Sequence, residues 1–309
     1  MKHAVLFPGQ GSQFVGMGGD LFDAMPDLLG SNADDALGWS LRRLCLDGPE
    51  EALTRTEHAQ PAIYAVSYAL WAALGTEIAP PAAGAGHSLG EYTALAAAQS
   101  IGYLDGLRLV SARGRAMATA ADADPSGMAA LIGGDFASAE ALAAERRADG
   151  GRLWIANLNA PGQVVVAGGV DDLLWAADHA GDHGIRRVVP LKVAGAFHSP
   201  VMAPAATMLR SAVESTAFVP PAFPVWANAT ARPHDRGVAD ALLAQLTSPV
   251  RFAESLIGIA ATGIETFIHV GPGDVTAGLA RRSVEDTEVI VVSSLDDIAA
   301  AADRLGVGA

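Results

Sequence analysis

The sequence predicts an α/β protein whose core is interrupted by a smaller βαββαβ unit, and three observations carry that expectation. A short apolar run, Ala4-Val5-Leu6-Phe7, leads directly into a glycine-rich loop. The run Gly86-His87-Ser88-Leu89-Gly90 has the Gly-x-Ser-x-Gly spacing that joins a strand to a helix through a tight, strained turn. Between 126 and 193, short apolar runs alternate with helical periodicity in the order strand, helix, strand, strand, helix, strand, the split βαβ pattern of ferredoxin-like units.

In chain order, Ala4 to Phe7 reads as a strand and Phe7-Pro8-Gly9-Gln10-Gly11-Ser12-Gln13 as its loop. The phosphate-loop pattern Gly-x-x-x-x-Gly-Lys-Ser/Thr is absent from it. Its other use is to set a backbone amide and a polar side chain beside the serine turn. A mainly helical stretch follows from about Asp20 to Leu74, with Leu37, Leu41 and Leu44 at helical spacing and a second such pattern from Pro61 to Leu74. Pro80 to Gly86 reads as a proline-glycine loop before the serine turn. Helices are expected from Glu91 to about Ser100 and from Leu104 to Ala121. The stretch Asp122 to Gly127 is the entry to the inserted unit. Its expected strands are Met128–Ile132, Arg152–Leu158, Gln163–Ala167 and Arg186–Leu191, and its helices Ser138–Arg147 and Asp171–His183. The α/β pattern then resumes with a strand at Val225–Asn228, a helix around Pro249–Thr262, a strand at Thr266–Val270 and the loop Gly271-Pro272-Gly273. Ala299–Ala309 reads as a helix fraying into a tail. These boundaries assign 1–125 and 194–309 to a large subdomain and 126–193 to a small one.

A chain of 309 residues, half of them hydrophobic, can bury a large core. Its longest apolar stretches are broken well short of the ~18 residues a membrane span needs. Met1-Lys2-His3 runs straight into the first strand without an apolar signal region. A cytoplasmic protein is therefore expected, and a monomer is the expected state. The single cysteine, Cys45, can form no internal disulfide and has no CxxC company, which suits a packing role in a reduced compartment. A net charge of −14 argues against nucleic acid as a partner. The eight histidines show no HExxH spacing, so neither a metal nor a bound cofactor is assigned.

Ser88 is the candidate nucleophile, lifted into the open at the first turn of the following helix by a turn whose glycines allow close backbone approach. An alcohol needs a base within hydrogen-bond reach at neutral pH. His198, in the loop Gly195-Ala196-Phe197-His198-Ser199-Pro200 just after the inserted unit, is the first choice. His87, within the turn, and His269, at the end of an apolar strand, are the alternatives.

The segments Phe7 to Gln13, Gln60-Pro61-Ala62, Gly86 to Glu91, Arg113-Gly114, Asn157 to Gly162, Ala196 to Ser199 and Val270 to Gly273 occur in order across the chain. Together they resemble the malonyl-CoA:acyl carrier protein transacylases and the related acyltransferases of polyketide synthases. The resemblance implies an α/β-hydrolase-like core carrying a ferredoxin-like subdomain. It implies Ser88 as the acyl-ester nucleophile and His198 as its base, oriented by a backbone carbonyl near Gln245 instead of the usual aspartate. The oxyanion hole would use the amides of Gln10 and Leu89. Arg113 would grip the free carboxylate of malonyl, although Arg115 in the same segment leaves a surface role open for either arginine. Phe197 would favour malonyl over methylmalonyl, and Gln60, Met117, Asn157 and Asn159 would line or support the pocket.

The function this implies is transfer of malonyl from coenzyme A, through an ester on Ser88, to the phosphopantetheine thiol of an acyl carrier protein, in fatty-acid or polyketide biosynthesis. With no ketosynthase or carrier domain in the sequence, the expected mode is action in trans. Carrier proteins are acidic, so docking on a chain of this charge needs a local basic patch: Arg186-Arg187 with Lys192, Arg42-Arg43, or Arg281-Arg282. A thioester hydrolase or proofreading acyl hydrolase, a transacylase for another dicarboxylic acyl group between carriers, and a non-catalytic docking protein are the competing readings.

Overall fold

The computed structural model of the chain describes residues 1–235 and 237–306. The end of the expected C-terminal tail, residues 307–309, lies outside the described residues. The strands are β1 (His3–Phe7), β2 (Ala83–Gly86), β3 (Ser126–Ile132), β4 (Leu153–Ala160), β5 (Gln163–Gly169), β6 (Arg187–Pro190), β7 (Val225–Ala227), β8 (Arg232–Pro233), β9 (Thr266–Val270) and β10 (Glu288–Val292). They form two sheets, one of six strands in the order β10-β9-β1-β2-β7-β8 and one of four in the order β4-β5-β3-β6.

The larger sheet is parallel except where β8 pairs antiparallel with β7. Every residue of β1 is buried, as expected of a parallel strand covered on both faces. The strand order turns back at β1, which lies between β2 on one side and β9 on the other. Crevices beyond the carboxyl ends of such strands are where open α/β sheets bind ligands. The loops after β1, β2 and β7 supply the residues that converge there.

The smaller sheet is wholly antiparallel, and helices Phe136–Ala148 and Val170–His179 fall between its strands in the order read from the sequence. Leu131, Leu142, Leu153, Val164, Val166 and Ala176 close a separate apolar core behind it. It is tied to the body by a parallel bridge between Asn157 and Val250, with Leu158 N–H donating to Val250 and Val250 N–H to Ala156. The β4–β5 register shifts between Ile155 and Asn157, a bulge of the kind that re-aims a side chain beside a site. Among the described residues no helix is long and apolar enough to cross a membrane.

Three expectations need correction. The stretch Pro80–Gly86, read as a loop, contains β2 in its second half. Alanine and glycine carry little strand propensity, but Ala83 to Gly86 are held by parallel pairing with β1 and, over Gly84 and Ala85, with β7. Leu37, Leu41 and Leu44 do not share one helix. Gly38 takes a left-handed conformation that ends helix Ser31–Leu37, and Ser40 caps a new one, Leu41–Asp47. The helix read from Pro61 starts earlier, at Thr56, with Pro61 inside it.

Helices Thr56–Leu74 and Tyr103–Ala123 pack closely, with Tyr64 Oη donating to the Tyr103 carbonyl at 3.0 Å. The buried residues of the second helix, among them Gly106, Leu109, Val110, Arg113, Met117, Ala120 and Ala121, recur at helical spacing, so Arg113 lies on the inward stripe while Arg115 is exposed. Cys45 is fully buried, and burial pushes its thiol up to about 12.

Candidate active site

Strand β2 ends at Gly86 and helix Gly90–Ala97 begins at Gly90, so His87, Ser88 and Leu89 carry the whole turn. A Cβ on Gly86 would lie 1.9 Å from the Gly90 carbonyl carbon, and one on Gly90 2.3 Å from the Phe7 carbonyl oxygen. Only glycine fits either position. Ser88 itself sits at φ 52°, a left-handed conformation that a non-glycine residue keeps only when its surroundings enforce it. The enforcement is visible. Asn228 accepts the Ser88 N–H at 2.7 Å and donates to the Gly86 carbonyl at 2.7 Å, while Gln245 Nε2 donates to the Ser88 carbonyl at 3.0 Å. His87 N–H donates to the Phe7 carbonyl, which joins the turn to the glycine-rich loop.

His198 Nε2 lies 2.7 Å from Ser88 Oγ, and its Nδ1 lies 2.9 Å from the Gln245 carbonyl oxygen. A carbonyl only accepts, so Nδ1 carries the hydrogen and Nε2 is left with a lone pair facing the serine hydroxyl. This geometry separates the three candidate histidines. His87 Nε2 is taken up by Asn159 Oδ1 at 2.7 Å, and His269 is fully buried between Thr276 Oγ1 and the Gly271 carbonyl. His198 is also strained, at φ 59°. Its loop is pinned where Ser126 Oγ accepts the Ala196 N–H and Ser199 Oγ donates to the Ala196 carbonyl. Burial first, and then the Arg113 charge, lower the His198 pKa to about 3, so the imidazole rests as a free base.

Arg113 is fully buried. Its Nη2 donates to Ser88 Oγ at 3.0 Å and to Gln245 Oε1 at 2.9 Å, and its Nη1 to Gln60 Oε1 at 2.6 Å. The guanidinium also lies 5.4 Å from the centre of the Tyr92 ring. Every acceptor it has is neutral and its Nε has none. A buried cation without a carboxylate in contact is an arrangement that an incoming anion completes.

A cavity of about 200 Å³ opens over these groups, lined among others by Gln10, Gln60, Ser88, Met117, Phe197 and His198. Asn157 and Asn159 reach it from β4, and Gln163 from β5. Asn157 Oδ1 and Gln163 Oε1 are buried without a partner. Gln10, Gln60, Met117, Asn157, Asn159 and Phe197 thus share one cavity with Ser88 and His198, and Arg113 reaches the Ser88 hydroxyl. Leu89 is buried beside Ser88 at the head of helix Gly90–Ala97. Sequence reasoning missed Asn228, Gln163 and the side chain of Gln245, none of which belongs to a motif with a recognisable spacing.

Comparison with known proteins decides the family. The family described as "Acyl transferase domain" matches residues 5–298. The chain belongs to that acyl transferase family. It is 37% identical over 308 residues to the malonyl CoA-acyl carrier protein transacylase of Bacillus subtilis, covering 98% of this chain and 97% of that protein. It is 42% identical over 283 residues to the polyketide biosynthesis protein ThaF of Burkholderia thailandensis, covering 91% of this chain but 24% of that protein. Among solved structures, a type II PKS acyl-carrier protein in complex with its malonyl-transacylase includes a chain that superposes with TM-score 0.93 at 35% identity, covering 98% of this chain and 100% of that one.

Three buried histidines of this acyl transferase weaken the fold in acid. Burial lowers His87, His198 to about 3 and His269 to about 4, from an ordinary value of 6.5. Below about pH 6.5 the unfolded chain therefore binds protons that the folded chain refuses. Stability is full above that pH and falls as pH drops toward the folded values, by up to about 1.4 kcal/mol per pH unit for each histidine. Thermal melts should show a midpoint that declines steadily from pH 6.5 to 4.5. A midpoint constant over that interval would contradict the neutral burial of these rings.

Proposed function

We propose that the chain is a malonyl-CoA:acyl carrier protein transacylase working by a ping-pong route through Ser88, in fatty-acid or polyketide biosynthesis. The observation that carries this reading is the buried Arg113 guanidinium, 3.0 Å from the Ser88 hydroxyl and supplied only with neutral acceptors. Its fork suits the free carboxylate of a malonyl group held as a thioester.

His198 Nε2 takes the Ser88 proton as Oγ attacks the thioester carbonyl, and the amides of Gln10 and Leu89 receive the developing oxyanion. The tetrahedral intermediate expels the coenzyme A thiolate, which takes up the proton from His198. A carrier thiol then enters, gives its proton to His198 and attacks the ester, and Ser88 leaves with that proton. The Gln245 carbonyl holds the imidazole in place throughout, in the role an aspartate usually has. Phe197 crowds a branch at C2, while Gln60, Met117, Asn157 and Asn159 shape the pocket. The unpartnered oxygens of Asn157 and Gln163 suit the amide N–H groups of a pantetheine arm.

In this reading the large subdomain, 1–125 and 194–309, is α/β-hydrolase-like, and the small one, 126–193, is ferredoxin-like. The reaction requires no bound cofactor, and all its groups come from one chain, so a monomer suffices, with the cytoplasm as its proposed compartment. The carrier acts as a separate partner. Of the basic clusters, Arg282 is exposed on the cavity rim and Lys192 borders an adjoining cleft with Gln10, whereas Arg42 is paired with Asp23. Arg282→Glu should raise KM for the carrier about two- to fivefold, the scale of one exposed ion pair. A KM unchanged at low salt would exclude Arg282 from docking.

The test of transfer against hydrolysis supplies malonyl-CoA with and without a phosphopantetheinylated carrier. Coenzyme A release should match malonyl-carrier formation. Free malonate appearing as fast with the carrier as without it would make the protein a hydrolase.

A further inference from the structure

We infer that Glu91 is a positioning residue for carboxylate recognition, acting on Arg113 through the side chain of Gln245; this rests on the malonyl-transfer reading above. Glu91 is fully buried in the first turn of helix Gly90–Ala97, directly beneath the nucleophile. Three donors converge on it. Oε2 accepts from the Asn228 N–H at 2.9 Å and from Gln245 Nε2 at 2.6 Å, and Oε1 accepts from His234 Nε2 at 2.8 Å.

A carboxylate accepts and cannot donate, so it dictates which way the Gln245 amide turns. The NH2 must face Glu91 and the Ser88 carbonyl, which leaves Oε1 facing Arg113 at 2.9 Å. With the amide exchanged, donor would meet donor at the guanidinium, and Arg113 Nη2 would keep only the Ser88 hydroxyl of its two acceptors. Gln245 thus has two roles: its main-chain carbonyl holds His198, and its side chain, fixed by Glu91, holds Arg113. No charged group other than Arg113 touches that amide oxygen among the described contacts.

A second route leaves Glu91 through Asn228, whose backbone it holds and whose side chain holds the strained Ser88 turn. The two routes have different signatures. Loosening the turn slows the nucleophile toward every acyl donor equally. Misaiming the fork slows malonyl alone, and misplacements of about 1 Å cost up to ~10²-fold.

The experiment measures Ser88 acylation by malonyl-CoA and by acetyl-CoA in Glu91→Met, Glu91→Gln and Gln245→Met, with a thermal melt for each. In Glu91→Met the malonyl-to-acetyl ratio should fall about tenfold or more. Glu91→Gln can keep an oxygen toward Gln245 and turn its amide to His234, so it should restore the ratio. Gln245→Met, which preserves the main-chain carbonyl, should reproduce the malonyl-selective loss, and it carries the test if Glu91→Met does not fold. Equal losses for both donors in Glu91→Met, or an unchanged ratio in Gln245→Met, would overturn the inference. A wild-type protein that takes acetyl but no malonyl would overturn the functional reading itself, and this inference with it.

Discussion

Ser88→Ala is expected to abolish acyl-enzyme formation and to lower malonyl transfer by roughly 10⁶-fold, the scale of removing a serine nucleophile from a hydroxyl–imidazole pair. The Ser88 hydroxyl is the atom on which the base and the cation meet, 2.7 Å from His198 Nε2 and 3.0 Å from Arg113 Nη2. Its proton can go to only one of these. Arginine has no lone pair to receive it, so the hydroxyl donates to His198 while accepting from Arg113. That arrangement polarises the O–H bond before substrate arrives. The turn itself should survive the substitution, because Asn228 and Gln245 hold the backbone of residue 88 and not its side chain. The check is coenzyme A release in a single turnover, with a melting curve showing the variant folded. Labelled malonyl-CoA acylating Ser88→Ala at the wild-type rate would move the chemistry to another residue.

Arg113→Ala should change what the protein accepts more than whether it reacts. Malonyl acylation is expected to fall by about 10²–10⁴-fold, corresponding to the roughly 3–5 kcal/mol lost when one partner of a buried charge pair is removed. Acetyl carries no carboxylate and should be spared, or should gain from the loss of a desolvated cation beside the ester. The substitution also leaves the oxygens of Gln60 and Gln245 without their donor, at about 1–3 kcal/mol for each buried group left unsatisfied. The melting temperature should drop accordingly. The ratio of malonyl to acetyl acylation, not the absolute rate, is therefore the decisive readout. A ratio equal to that of the wild type would show that Arg113 does not read the carboxylate.

Much of this arrangement is legible in the sequence where the chain's own periodicity encodes it. The first strand, the strand at Thr266–Val270 and the six elements of the smaller unit follow from apolar runs and helical spacing. Strand β2 does not, because Ala83-Gly84-Ala85-Gly86 is a strand by its neighbours and not by its composition. Helices Ala203–Glu214, Val238–Gln245 and Val275–Ser283 and strand β10 likewise do not stand out between stronger signals. In the site, Ser88 declares itself by its glycines, and His198 by a loop bounded by Gly195 and Pro200. Asn228 and Glu91 do not, since their partners lie far along the chain: Asn228 reaches Ser88 across 140 positions and Gln245 reaches Glu91 across 154. No spacing rule reports contacts made only by folding. Resemblance singles out Arg113 over Arg115, and helical phase turns the first inward and leaves the second exposed.

The central claim is that a single hydroxyl, activated by an imidazole and flanked by a buried guanidinium, holds the acyl group between two thiols. It is tested most directly by measuring the intact mass of the protein after brief exposure to malonyl-CoA, mapping the adduct, and then adding a phosphopantetheinylated carrier. One malonyl ester on Ser88 that disappears as malonyl-carrier forms is the predicted result. An unchanged mass, an adduct on another residue, or an ester on Ser88 that the carrier thiol cannot discharge would contradict it.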